Sequence, residues 1–297
     1  RSFALLDQSE GLCVEDEEEL CRLLSCHADV TAKVVSIFGN TGDGKSHTMN
    51  HAFFSGDPVF ETSDRQDSCT AGAWAAFDPM SRAIVVDTEG MQGASSNEHA
   101  RLRLLLKVLA ISDVVIYCSK AERLHQDMFL FLEDASASYC TYFSSEIARA
   151  ASLCGSSSTS SVGPHLIIHH ETRNTQPLGE QSHRALVQRF RSNPTGAPSF
   201  PVAYSDVDYI GSKHGPGGSN FRPLQAAVRR ALDQTSVRVY RAPSVVYQQL
   251  RALTQKFNGS MAQPVYGVLP DLFFRCAVRC LSCGVQCDRT VCHDGKE

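Results

Sequence analysis

Val34-Val35-Ser36-Ile37-Phe38 running into Gly39-Asn40-Thr41-Gly42-Asp43-Gly44-Lys45-Ser46 is the stretch on which the fold turns. An apolar, β-branched run that ends in G-x-x-x-x-G-K-S reads as a buried strand delivering a phosphate cradle. Its three glycines let the backbone turn tightly, so that successive N–H groups face phosphate oxygens. His47-Thr48-Met49-Asn50-His51-Ala52-Phe53-Phe54 should continue as a helix whose positive N-terminal end adds to the cradle, with His47 on the nucleotide side. Lys45 would bring a mobile cation to the β and γ phosphates, and Ser46 a hydroxyl to Mg²⁺. A glycine turn with no ligand is the competing reading, disfavoured by the flanking strand and helix.

The 297 residues suffice for one large α/β domain with a sizeable core, or for a domain plus a small appendage. We place a nucleotide domain at 1–262 and a cysteine-rich segment at 263–297. Twenty-eight basic residues against 32 acidic ones give no electrostatic footprint for nucleic acid or a polybasic membrane patch. No run approaches bilayer-spanning length, and no basic head precedes an apolar signal core. Because the sequence opens on Arg1 and closes within a cysteine cluster, a piece of a longer protein is expected.

The 12 cysteines form two populations. Cys13, Cys21, Cys26, Cys69, Cys118, Cys140 and Cys154 are scattered, as small buried hydrophobes are. The rest crowd together as Cys276-x3-Cys280-x2-Cys283-x3-Cys287-x4-Cys292 with His293 adjacent. Cys276, Cys280, Cys283 and Cys287 suit tetrahedral Zn²⁺, with further ligands beyond Glu297; a disulfide knot is the alternative.

Elsewhere the acidic run Glu15 to Glu19 before Leu20, Leu23 and Leu24 suits the first turn of an amphipathic helix. Cys69 to Phe77 reads as a loop entering a short strand with Trp74. Arg82 to Val86 is a strand delivering Asp87-Thr88-Glu89-Gly90 at its end. Helical spacing over Ala100 to Leu109, the strand Asp113 to Cys118, one long helix from about Glu122 to Ala151, and the strand His165 to His170 complete a β-α alternation that requires a parallel sheet. Helices follow at 183–191, 221–232 and 244–257. Ser156 to Ser161 is an exposed polar loop, and Gly211 to Gly218 a surface loop or a lid.

Hydrolysis needs a held metal, a positioned water and compensation of charge on the transferring phosphoryl group. Asp87 is the natural holder of Mg²⁺ beside Ser46, and the Gly90 N–H can reach the γ-phosphate; a buried structural aspartate is the alternative. Thr70 could complete the metal shell and hold the attacking water.

Gly44-Lys45-Ser46-His47-Thr48-Met49-Asn50, Ser68-Cys69-Thr70-Ala71-Gly72-Ala73-Trp74 and Asp87-Thr88-Glu89-Gly90 together resemble the G domain of the guanylate-binding-protein and atlastin branch of the dynamin superfamily. More narrowly, Val35 to Ser46, Lys107 to Asp113 and Cys280 to Val285 are similar to the nucleotide-binding region of a FYVE-domain protein family. The resemblance implies a P-loop NTPase fold with a mostly parallel sheet, followed by the start of a cysteine-rich zinc module. It makes Ser68, Thr70 and Glu89 candidates for placing water. It also exposes two departures. The broader family carries an arginine finger where this chain has Gly42, and the narrower one has an arginine where this chain has Cys118. Turnover should therefore be slow unless Arg65, Arg123 or a partner's arginine substitutes.

Guanine-preferring relatives carry Arg-Asp where this chain has Arg173-Asn174. An asparagine amide cannot satisfy both guanine donors, so guanine specificity should relax and ATP becomes the expected ligand, with GTP second. A turn without any ligand is the other reading of these residues. The resemblance further implies nucleotide-dependent self-association and phosphatidylinositol 3-phosphate binding by FYVE domains outside this segment. It places the parent protein at the cytosolic face of endoplasmic reticulum, Golgi, lipid-droplet or autophagosome-precursor membranes. A nucleotide-binding module without hydrolysis, and a zinc-containing scaffold, remain the competing functions.

Overall fold

A computed structural model of the chain describes residues 1–62, 71–90, 98–154, 161–192, 199–234, 237–259, 261 and 263–293. Seven strands form one sheet: β1 (Phe3–Leu6), β2 (Lys33–Gly39), β3 (Ala73–Asp78), β4 (Ala83–Thr88), β5 (Val114–Lys120), β6 (His165–Thr172) and β7 (Asp206–Lys213). Their spatial order is β1-β3-β4-β2-β5-β6-β7. β4, β2, β5, β6 and β7 run parallel, while β3 pairs antiparallel with β4 and β1 with β3. The strand carrying the glycine loop is therefore central, and all five parallel strands point their carboxyl ends at one edge.

Period-two alternation splits β2 between two cores. Val34 and Phe38 face a cluster with Leu104, Val108, Leu132 and Leu250, from helices α3 (Glu98–Ile111), α4 (Gln126–Tyr142) and α9 (Pro243–Asn258). Val35 and Ile37 face Met49, Leu224 and Val228, from α2 (Lys45–Phe53) and α8 (Arg222–Asp233). Both faces of the parallel region are thus buried, which accounts for its near-continuous apolar runs. Ser36, the polar residue among the apolar ones of this strand's Val34–Phe38 run, accepts a hydrogen bond from Ser112 Oγ at 2.8 Å. Helix α1 (Glu17–Leu23) starts as its acidic run predicts: Asp16 accepts from Glu19 N at 2.7 Å, and Glu19 accepts in return from Glu15 N at 2.7 Å.

Three features depart from the sequence reading. The expected helix from Glu122 to Ala151 is two, α4 and α5 (Ser144–Leu153), broken at Phe143 with φ −114° and ψ 18°. Burial of the Phe143 ring, 5.0 Å from that of Tyr139 and 6.1 Å from that of Phe257, sets this break. β1, β7 and the short α7 (Ser199–Ala203) were not foreseen, whereas α6 (Glu180–Ser192) covers the helix expected at 183–191. Of the glycine-rich stretch, Gly211 to Lys213 belongs to β7, and only the turn bridged between Gly215 and Gly218 is loop. The segment after residue 262 begins by packing into the body, with Val268, Leu269, Phe273 and Phe274 fully buried. Among the described residues no helix is long and apolar enough to cross a membrane.

Candidate nucleotide site at the carboxyl edge of the sheet

β2 ends at Gly39, and α2 begins at Lys45 with Gly44 as its N-cap, so the glycine loop spans the strand-to-helix turn. Asp43 holds the loop in shape. Its two carboxylate oxygens accept from Asn40 N at 3.0 Å and from Lys120 N, at the end of β5, at 3.2 Å. Burial pushes its carboxyl above the ordinary value despite those bonds. Lys45 folds back to donate to Asn40 O at 3.0 Å, which places its ammonium over the loop.

Asp87 ends β4 directly beside β2, paired in register with Ile37. Ser46 Oγ donates to Asp87 Oδ2 at 2.6 Å. A hydroxyl and a carboxylate oxygen side by side form the hard-oxygen pair that Mg²⁺ takes. Gly90 closes over the loop: a Cβ there would stand 2.0 Å from Thr41 Oγ1 and 2.6 Å from Thr41 N, so only glycine fits. Thr41 Oγ1 is buried with no hydrogen-bond partner among the described residues. The residues present therefore fit both a phosphate and a magnesium ion.

Glu89 accepts from Gly72 N at 3.0 Å and faces Arg101 Nε at 3.7 Å. Ser68, Thr70 and Arg65 lie outside the described residues. His47 is exposed; its ring packs 4.3 Å from that of His51 and 5.8 Å from that of Phe221.

The two arginine departures acquire physical content. Gly42 has φ +89°, a left-handed conformation that an arginine would adopt only with strain. Cys118 points beneath the loop, donating to Asp43 O at 3.3 Å, and burial pushes its thiol up to about 12. Arg123 lines a groove with Glu122 and Thr175, on the base side of the site. A second cation beside the loop, after Lys45, is one the sequence reading missed. Lys120 Nζ stands 3.1 Å from where a Gly44 Cβ would be, and 3.8 Å from Glu171 Oε2. Its signal in the sequence was its place two residues beyond Cys118, at the end of a parallel strand next to the loop strand.

Arg173 and Asn174 follow β6 and meet Glu122, which follows β5. Glu122 accepts from the backbone N–H groups of Arg173 at 3.2 Å, Asn174 at 3.1 Å and Thr175 at 2.8 Å, and from Asn174 Nδ2 at 3.2 Å. The Thr175 and Asn174 backbone N–H groups hold the Glu122 carboxyl down at about 2. With its amino group on Glu122, Asn174 keeps one side-chain acceptor, its carbonyl oxygen.

At the cysteine-rich end, Cys276, Cys287 and His293 come together, with potential ligand atoms all within 4.8 Å of one another. Cys280 and Cys283, expected as ligands, are exposed and outside this group.

No family model matches the chain. Zinc finger FYVE domain-containing protein 1 of Homo sapiens is 45% identical over a 305-residue alignment that covers 100% of this chain and 39% of that protein. The Mus musculus protein of the same name is 44% identical over the same shares. Among solved structures, a dimerization-deficient mutant of Toc33 from Arabidopsis thaliana aligns with a TM-score of 0.40 and 18% identity, over 73% of this chain and 91% of its own. Bacterial selenocysteine-specific elongation factor EF-Sec aligns with a TM-score of 0.37 and 10% identity, over 68% of this chain and 29% of its own. The chain spans about two fifths of the length of the curated relatives it matches. From end to end it is similar to one segment of zinc finger FYVE domain-containing protein 1, which bears out the narrower of the two resemblances.

Proposed function

We propose that the chain is a slow, Mg²⁺-dependent nucleoside triphosphatase, favouring ATP over GTP, that acts as a conformational and self-association switch. The single observation that carries the reading is the Ser46–Asp87 pair, 2.6 Å apart where the glycine loop enters α2. Each residue has a task. Lys45 leaves Asn40 O for the β and γ phosphates, the loop N–H groups and that of Gly90 bind phosphate oxygens, and Ser46 and Asp87 hold the ion. The chemistry supplied by bound Mg²⁺ is neutralisation of charge on the phosphates. Glu89, with Ser68 and Thr70, would orient the attacking water.

Lys120 supplies a cation at the loop position where the family's arginine would act. An ammonium is a compact, strongly hydrated point charge without the fork of a guanidinium, which suits slow turnover. Asn174, with one side-chain acceptor, matches one base donor, as the adenine amino group requires. The switch would act in a membrane-associated parent whose FYVE domains bind phosphatidylinositol 3-phosphate, in autophagy or at lipid droplets, endoplasmic reticulum or Golgi.

Gly42 and Cys118 favour a second reading, in which nucleotide is held and not hydrolysed. Phosphate release under single-turnover conditions separates the two. Wild type should exceed Lys45→Ala by about 100-fold or more, the scale of losing one charge-stabilising donor, and chelating Mg²⁺ should abolish the difference. Equal rates with retained ATP binding would leave the binding module; no binding by calorimetry would leave the zinc scaffold.

A further inference from the structure

The cysteine-rich end has a backbone register that determines where its thiols stand. Cys276 N donates to Arg289 O at 2.9 Å and Cys287 N to Val278 O at 2.8 Å, with antiparallel bridges at Arg275–Thr290 and Arg279–Gln286. The tip is closed by Cys280 N to Val285 O and Gly284 N to Cys280 O, both 2.9 Å. Its root is fixed in the core, where Phe273 and Phe274 are buried and Val291 N donates to Phe274 O at 3.0 Å.

That register sets Cys276 and Cys287 on facing segments near the root, and Cys280 and Cys283 at the solvent tip. A turn closed by His293 N to Thr290 O at 3.3 Å brings His293 back to the root. Cys287 Sγ then stands 3.4 Å from His293 Nε2. Two ligands bound about 2.0–2.3 Å from a tetrahedral ion are themselves roughly 3.5–3.8 Å apart, so this spacing is already that of a coordination edge. Two thiols and an imidazole form a soft set that selects zinc over Mg²⁺.

We propose that Cys276, Cys287 and His293 bind one Zn²⁺ through two Sγ atoms and Nε2, and that Cys280 and Cys283 are not ligands of this ion. Each thiol releases its proton to solvent as its sulfur binds. The ion clamps the hairpin root against the Phe273–Phe274 wall. The site stands apart from the nucleotide edge, so its failure leaves the nucleotide reading intact.

The test is zinc stoichiometry by elemental analysis of the purified chain, together with ZnCl₂ titration against a chromophoric chelator. Wild type should hold about one zinc, with two thiolates and one imidazole visible in the Co²⁺-substituted absorption spectrum. Cys276→Ser, Cys287→Ser and His293→Gln should each weaken binding by at least the ~10–100-fold that lesser, outer-shell changes cause. The Cys280→Ser/Cys283→Ser double variant should keep the ion. His293→Gln replaces a partly exposed residue outside the core, so its circular dichroism should match wild type and separate loss of zinc from loss of fold. Zinc lost from the tip double variant but kept by His293→Gln would overturn the assignment. So would a zinc-free wild type, or a Cys276–Cys287 disulfide found by peptide mapping after alkylation.

Discussion

At the amino edge of the sheet Lys33, Arg238 and Arg241 gather round Asp113; at the carboxyl edge Lys45 and Lys120 gather round the glycine loop, Asp43 and Asp87. Most of the amino-edge charges pair with one another or with backbone carbonyls, but Asp113 Oδ1 and Arg241 Nε are buried with no hydrogen-bond partner among the described residues, and Lys33, Asp113 and Arg238 line a cavity of about 250 Å³. Asp113 Oδ2 accepts from Arg241 Nη1 and from Val34 N, both at 2.7 Å, and Arg241 Nη2 donates to Ile111 O at 2.7 Å. Lys33 Nζ donates to Leu232 O at 2.7 Å and Gln234 O at 3.0 Å, and Arg238 Nε to Val162 O at 2.9 Å. At the carboxyl edge Lys45 Nζ rests on the Asn40 carbonyl and Lys120 Nζ stands beside Gly44, in the same loop as a buried Thr41 hydroxyl with no partner among the described residues. Buried charge alone therefore does not mark a site on this sheet. What distinguishes the carboxyl edge is the glycine loop with the Ser46–Asp87 oxygen pair at the ends of the parallel strands, where open α/β sheets bind ligands.

Breaking the amino edge should cost stability, and breaking the carboxyl edge should cost chemistry. Asp113→Ala strands the Arg241 guanidinium, which is 3% exposed, and should lower unfolding free energy by about 3–5 kcal/mol in denaturant titration. Lys45→Ala should cost less, about 1.5–3 kcal/mol, the worth of a hydrogen bond from a charged donor such as the one to the Asn40 carbonyl. Its phosphate release should nonetheless fall as stated above. A large stability loss in Lys45→Ala would make the carboxyl edge structural after all.

The two edges also differ in pH window. Burial lowers Lys33 from 10.5 to about 8 and His169, in β6, from 6.5 to about 4. For each, the unfolded chain binds the extra proton between the folded and the unfolded value, so stability rises with pH across that interval. The His169 contribution is fully present above about 6.5 and is lost on descending toward 4; the Lys33 burial penalty is relieved on ascending from 8 toward 10.5. Subtracting the unfolding profiles of His169→Phe and Lys33→Met from wild type should give two separate rises, each no larger than about 3 kcal/mol. A single merged rise, or one of opposite sign, would refute the burial argument.

The strands around the loop were readable because both of their faces are covered. Val34 to Phe38 with the single exception of Ser36, Ile84 to Val86 and Val114 to Ile116 are apolar throughout, and such runs stand out in a sequence. β7 hid because it is an edge strand whose Asp206 and Asp208 break the apolar run, and because Gly211 reads as loop chemistry. Ser46, Asp87 and Gly90 were legible from motif spacing, since phosphate chemistry fixes residue types at fixed offsets. Lys120 and Glu122 were not. Their roles arise from β5 lying between the loop strand and β6, a neighbourhood that the chain order does not state. For the cysteines, spacing pointed to a metal site, but hairpin register decides which thiols meet, and it brings in His293.

The smallest effect concerns the base. Asn174→Asp restores the carboxylate that two guanine donors need, but it also sets that carboxylate against Glu122, whose oxygen now accepts from Asn174 Nδ2 at 3.2 Å. The new charge would be repelled from the position where the amide is held. The single substitution should therefore leave the ATP-to-GTP affinity ratio nearly unchanged. Adding Glu122→Gln removes the repulsion while its amide oxygen can still accept from the N–H groups of residues 173–175. The double variant should move the ratio toward GTP by about tenfold, the worth of satisfying one further buried donor. Displacement of a fluorescent nucleotide by ATP and by GTP measures the ratio directly. A full shift in the single variant would show that Glu122 does not orient residue 174, and none in the double would show that the base is read elsewhere.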